Sequence, residues 1–185
     1  MKPLLILDVD GTLLPHVGVV DVNAVPDIPL ERLAWVKAAS ATFDVVWATM
    51  RSADVMVGIN SVHDIEADVI GLEWAPDGPP PPGALNHKTE QVARWVIVRG
   101  ARPFVWADDL ITDVDAEHLY RLKQAGRLDE HLLVAPRPEA AMTDVDLSRI
   151  LDWARSPWTR NPDVADLAPV TPERKSWRQR AFGSR

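Results

Sequence analysis

Leu4-Leu5-Ile6-Leu7-Asp8-Val9-Asp10-Gly11-Thr12 is the stretch on which the fold turns. Four consecutive apolar residues suit a strand buried on both faces, as in a parallel sheet. Two carboxylates follow, two residues apart. Strand side chains alternate, so both carboxylates point the same way. A glycine and a hydroxyl residue then turn the chain sharply. Such a pair suits a nucleophile and an acid/base partner sharing one metal ion.

Outward from this stretch, short apolar runs recur with helical patterns between them. Strands are expected at 3–8, 43–48, 68–72, 103–107 and 131–135, and helices at 29–41, 52–61, 88–99, 113–125 and 143–154. Thr143 reads as an N-cap, and Gly100 and Gly126 fall where C-terminal caps belong. Strand–helix alternation predicts an α/β fold with a parallel sheet covered by helices on both faces. No internal repeat is present. Trp35, Trp47, Trp95 and Trp106 are expected in the core.

The 185 residues, 46% of them hydrophobic, suffice for one well-cored domain. Net charge is −7, but residues 156–185 carry 6 basic against 3 acidic side chains. The boundary is therefore drawn at residue 155, with a proline-containing basic tail over 156–185. That tail reads as loosely ordered rather than as a binding arm. Pro76 to Gly83 reads as an extended or polyproline loop. An acidic body argues against broad sequence-independent nucleic-acid binding. There is no cysteine, so any metal must be held by oxygen or imidazole. No apolar stretch reaches 18 residues and the N-terminus lacks a signal-like run, which predicts a cytoplasmic protein with no membrane contact.

In open parallel sheets, ligands sit at the C-terminal ends of the strands. Polar residues collect there. The first strand ends in Asp8 and Asp10, the second in Thr49 with Arg51 beyond, and the fourth in Asp108-Asp109, while Lys88 opens a helix. Each has a bland reading by itself: carboxylates capping backbone amides, a strand-end hydroxyl, a solvated lysine. A calcium loop fails on spacing, because glycine comes at position four after Asp8 and Val19 occupies position twelve. Asp113 and Asp115 suit a helix N-terminus. His16, His63, His118 and His131 suit surface or packing roles, and His87 stands out only for its place beside Lys88.

Taken together, the set resembles the haloacid dehalogenase (HAD) superfamily of phosphohydrolases over residues 3–154. Asp8-Val9-Asp10-Gly11-Thr12 is similar to its first motif, D-x-D-G-T. Thr49 resembles the Ser/Thr of the second, Lys88 the lysine of the third, and Asp108-Asp109, with Asp113 further on, the acids of the fourth. The resemblance implies a doubly wound, HAD-like Rossmannoid three-layer sandwich. It also implies Mg²⁺ held by Asp8, Asp10 (through its main-chain carbonyl) and Asp108 or Asp109. Asp8 would be the nucleophile and Asp10 the acid/base, with Thr49 and Lys88 on the phosphoryl oxygens. Thr12, Thr49, Arg51 and Lys88 are the expected substrate-binding residues. Asp10 favours phosphatase or phosphotransferase, since dehalogenases of the superfamily lack this acid.

Thirty-eight residues separate Asp10 from Thr49, and 38 separate Thr49 from Lys88. Neither interval holds a cap domain; Leu13–Ile28 suffices only for a β-hairpin flap. Thr49-Met50-Arg51 resembles the S-G-R of the 3′-phosphatase domain of phage polynucleotide kinase, with Met50 departing from its glycine, and Asp108-Asp109 resembles its paired aspartates. Trp47-Ala48-Thr49 and Trp106-Ala107-Asp108-Asp109 resemble small bacterial domains of the superfamily found with RNA-repair proteins. These likenesses imply a phosphomonoester substrate on a nucleic-acid terminus, with Arg51 clamping its phosphate. A nucleotidase or small-molecule phosphatase is the alternative. A non-catalytic module binding a phosphorylated partner is the alternative of another class.

Overall fold

In the computed structural model, residues 1–16, 18, 20–73 and 83–156 are described. Ten elements follow in the expected order: β1 (Leu4–Leu7), α1 (Leu30–Ala39), β2 (Asp44–Trp47), α2 (Ala53–His63), β3 (Ala67–Val69), α3 (His87–Val98), β4 (Phe104–Ala107), α4 (Asp113–Gln124), β5 (His131–Val134) and α5 (Asp144–Ala154). All strand pairs are parallel, in the order β3-β2-β1-β4-β5. β1 lies in the middle, with Leu7 in register with Trp47 on one side and Ala107 on the other.

The chain leaves β1 toward β2 and β3, then crosses back to β4 on the other side. Right-handed crossovers in opposite directions put helices on opposite faces. Leu5, Leu7, Val45, Trp47, Val105 and Ala107 accordingly face residues of α1, α2 and α5. Leu4, Ile6, Val46, Phe104 and Trp106 pack with residues of α3 and α4. This accounts for the uninterrupted apolar run of β1, whose four residues are all buried. Each fully buried aliphatic side chain contributes about 1.5–3 kcal/mol. Trp47 also donates from Nε1 to Asn60 Oδ1 at 2.8 Å, and Asn60 Nδ2 donates to the carbonyl of Ala67 at 2.9 Å, tying β2, α2 and β3 together.

The expected caps form. Thr143 caps α5 in a reciprocal box with Asp146, and Gly100 and Gly126, at φ 90° and 67°, follow the ends of α3 and α4. Trp47 and Trp106 are fully buried, whereas Trp35 and Trp95 are only partly covered. Trp95 instead carries the Arg99 guanidinium 3.8 Å above its ring.

Among the described residues of Leu13–Ile28, which suffices for a hairpin flap, no pair of strands appears. Among its described residues the single bridge is Leu14 with Asp10. Backbone groups there bond elsewhere: His16 N donates to Pro138 O and Ser52 N to Val22 O. Most of the proline-rich loop and of the basic tail lie outside the described residues. No described helix is long and apolar enough to cross a membrane.

Candidate active site

The switch in strand order falls between β1 and β4, which places a crevice beyond their C-terminal ends. Asp8 extends the ladder by one bond, its N–H donating to Ala107 O at 3.0 Å. The chain then curls, with the carbonyl of Val9 accepting from Thr12, Leu13 and Leu14. Gly11 makes the curl possible at φ +74°. It is required twice over, because a Cβ here would stand 2.4 Å from Cγ of Asp109. The turn after β1 and the second acid after β4 thus touch directly.

Lys88 is the second residue of α3 and 1% exposed. Its Nζ donates to Asp8 Oδ2 at 2.7 Å and to Asp108 Oδ2 at 2.9 Å. Three distant segments meet at that one ammonium. Asp108 Oδ1 accepts from Leu110 N at 2.9 Å, fixing the carboxylate from its other side. Asp109 completes the group: one oxygen from each of Asp8, Asp108 and Asp109 lies within 4.8 Å of the others. Among the described residues no hydrogen bond engages Asp8 Oδ1.

Charge is unbalanced in this cluster. Burial, with the Asp8 charge adding to it against Lys88, pushes the Asp108 carboxyl up to about 7. Burial and Asp8 push Asp109 up to about 6. Burial alone would depress Lys88, but the Asp8 and Asp108 carboxylates hold its ammonium well above the usual lysine range. Three convergent carboxylates against one lysine leave an electrostatic deficit that a divalent cation fits. An all-oxygen donor set suits a hard ion of the Mg²⁺ class.

Asp10 and Arg51 form a second unit. Arg51 Nε donates to Asp10 Oδ2 at 2.9 Å and Nη2 to Oδ1 at 2.7 Å. Its Nη1 donates to the carbonyls of Ala24, at 2.6 Å, and Asp21, at 3.2 Å. The guanidinium expected to clamp a phosphate is therefore already engaged at all three nitrogens. The Asp10 side chain stands outside the three-carboxylate cluster, which is compatible with a main-chain role toward a metal. Thr49 is buried at the end of β2, and its Oγ1 accepts from Arg51 N at 3.4 Å. Thr12 is fully buried, with its hydroxyl unpartnered among the described residues.

Asp113 is exposed on the first turn of α4 and takes no part in the cluster. Asp115 does more than its helix-start position suggested. Besides Thr112, it accepts from Asn86 N at 2.8 Å and from Thr89 Oγ1. Burial would raise its pKa, but the bonds from Thr112, Thr89 and the Asn86 backbone bring it below the usual range. The T-x-x-D spacing of Thr112 and Asp115 signals the cap; nothing in the sequence signals the reach to α3. The His87 ring is unpartnered among the described residues, and burial with the Lys88 charge lowers its pKa. His131 stacks on Phe104 with centroids 5.2 Å apart.

No family model matches this chain, and no curated protein matches it. The chain is similar in structure to the HAD domain of effector protein Lem4 from Legionella pneumophila, with a TM-score of 0.51 and 14% sequence identity. The match covers 84% of this chain and 98% of that domain. At such identity the likeness speaks for the fold. The protein has a HAD-like Rossmannoid architecture, in which the acidic cluster lies where that fold opens.

Proposed function

We propose that this chain is a Mg²⁺-dependent phosphomonoesterase working through a phosphorylated Asp8. The observation that carries the reading is the Lys88 ammonium held between Asp8 and Asp108, with Asp109 closing the cluster. Asp8, the Asp10 carbonyl and Asp108 or Asp109 would hold the ion, which supplies charge neutralisation for a dianionic ester.

Asp8 Oδ1 attacks phosphorus while the ester P–O bond breaks, and Asp10 protonates the departing alkoxide. Water then attacks the phosphoaspartate, Asp10 takes its proton, and phosphate leaves with the Asp8 carboxylate restored. Lys88 and Thr49 stabilise the equatorial oxygens. Both oxygens of Asp10 accept from Arg51, which is the form that receives a proton. Donation to a leaving group requires one oxygen to be released from the guanidinium. Arg51 serves Asp10 in this reading.

Among phosphomonoesters, a 3′-phosphate end of nucleic acid comes first. It is supported by the cap-less architecture and by the Thr49-Met50-Arg51 and Asp108-Asp109 patterns. A nucleotide or small phosphomonoester comes second. That reading is favoured by the engagement of Arg51, which removes the expected phosphate clamp.

Hydrolysis of p-nitrophenyl phosphate, with Mg²⁺ or with EDTA, tests the class. Turnover should need the metal and vanish in Asp8→Asn; a rate indifferent to either change overturns the proposal. Initial rates on 3′-phosphate oligonucleotides, 5′-nucleotides and sugar phosphates test the substrate. Equal rates on all of them remove the preference for nucleic-acid ends.

A further inference from the structure

Two capping boxes of the same design occur among the described residues. In α5, Asp146 accepts from Thr143 N at 2.8 Å and from Thr143 Oγ1 at 2.7 Å, and among the described residues its side chain bonds to no other helix. In α4, Asp115 accepts from Thr112 N at 2.9 Å and Oγ1 at 2.6 Å in the same way. Its other oxygen, however, takes Asn86 N at 2.8 Å and Thr89 Oγ1 at 2.5 Å, both from the start of α3. Asp115 is also fully buried, whereas Asp146 is partly exposed. A helix cap accounts for two of the four bonds and not for the rest.

The extra pair joins segments that matter. Asn86 caps α3 by accepting from Lys88 N at 3.0 Å, and its Nδ2 donates to Leu110 O at 3.3 Å. Leu110 is the residue whose N–H holds Asp108 Oδ1. Asp115 and Asn86 thus brace the turn that bears Lys88 against the loop that bears Asp108 and Asp109. An ammonium at the tip of a flexible four-carbon stem needs such a fixed base to reach two carboxylates at once.

We propose that Asp115 is a positioning residue, acting with Asn86 and Thr89 to hold Lys88 between Asp8 and Asp108. Its effect on turnover rests on the phosphatase reading above; the brace itself does not. Asp115→Asn keeps the shape but turns an amide N–H₂ toward two donors. Thr89→Val removes one bond at nearly constant volume, and Thr89→Ser keeps it. Asp146→Asn serves as the control for loss of a capping box alone.

Two measurements separate the outcomes in the full chain. The first is peptide-resolved acylation of lysines by an N-hydroxysuccinimide ester, with exposed Lys37 as internal reference. Lys88 should be protected in the wild type, Thr89→Ser and Asp146→Asn, and labelled several-fold faster in Asp115→Asn and Thr89→Val. The second is steady-state kinetics: misplacing a reacting group by about 1 Å costs on the order of 10²-fold, so kcat should fall in the same two variants and recover in Thr89→Ser. Unchanged Lys88 labelling in folded Asp115→Asn and Thr89→Val overturns the proposal. If Asp115→Asn does not fold, Thr89→Val decides. If the wild type hydrolyses no phosphomonoester, the labelling still decides, so failure of the brace and failure of the phosphatase reading are distinguishable.

Discussion

Arg51 grips Asp10 through a two-pronged ion pair, Nε to Oδ2 at 2.9 Å and Nη2 to Oδ1 at 2.7 Å, across 41 residues of sequence. The remaining nitrogen holds the carbonyls of Asp21 and Ala24, so the guanidinium links the acid/base candidate to the segment that follows the first turn. An arginine fork cannot be copied by lysine, which offers a point charge. Arg51→Lys should therefore lower kcat and leave KM nearly unchanged, because its work is done on Asp10. A rise in KM with kcat preserved would return Arg51 to the phosphate. Arg51→Ala strips a partner from a mostly buried carboxylate, and a stability loss of about 3 kcal/mol is expected by urea unfolding.

Gly11 brings the turn after β1 against Asp109 of the acidic cluster. Its φ of +74° is uncomfortable for any residue with a Cβ, and that Cβ would meet Asp109 Cγ at 2.4 Å. Strain at such a dihedral costs about 1–2 kcal/mol. The Asp109 carboxylate can swing aside, so Gly11→Ala should fold with a modest drop in melting temperature. The larger effect should be weaker Mg²⁺ binding by titration calorimetry. Wild-type affinity in Gly11→Ala would show that Asp109 is no ligand.

Protonation of the acidic cluster would set a pH window for a metal ion bound there. Asp108 is pushed up to about 7 and Asp109 to about 6, from an ordinary value of 3.8. A raised carboxyl favours folding below its unfolded pKa, and that contribution disappears as pH rises through the folded value. The metal-free protein should thus lose stability from these groups between about pH 4 and pH 7. Mg²⁺ binds the deprotonated form. The gain in melting temperature on adding it should be larger at pH 8 than at pH 5.5, with protons released on binding near pH 6. Asp109→Asn should melt higher than wild type without metal at pH 8 and lose the Mg²⁺ gain. Equal gains at both pH values would contradict this account.

The ten elements were legible because their signals are local. Apolar runs bounded by turns mark strands such as Leu4–Leu7, and Thr143 and Gly126 mark where helices start and stop. The meeting of Asp8, Lys88, Asp108 and Asp109 was legible for another reason. A parallel sheet delivers all its strand ends to one edge, so an acid after β1 and a pair after β4 must be neighbours. What the sequence concealed depends on tertiary partners. Among the described residues of Leu13–Ile28 no strand pair appears where the length would allow a hairpin, and the Asp21 and Ala24 carbonyls bond Arg51 instead. Asp115 presents the same cap signature as Asp146, and only packing directs its second oxygen to α3.

Lys88 pairs with two buried carboxylates at once, which makes its removal more informative than that of any one acid. Lys88→Met preserves the length of the stem and leaves Asp8 facing Asp108 without the ammonium. Breaking one side of a buried ion pair costs about 3–5 kcal/mol, so the variant should unfold at clearly lower urea near neutral pH. Two compensations follow from the same charge balance. Mg²⁺ should restore part of the loss, since it meets the carboxylates that the ammonium met. Lys88→Met combined with Asp108→Asn should be more stable than Lys88→Met alone, a non-additive result between residues in direct contact. If the chain is the phosphatase proposed above, neither compensation should bring back turnover, because the ammonium assigned there to the equatorial oxygens is still missing. Additive losses in the double variant, with no response to Mg²⁺, would mean that Lys88 does not balance the Asp8–Asp108 charge in solution.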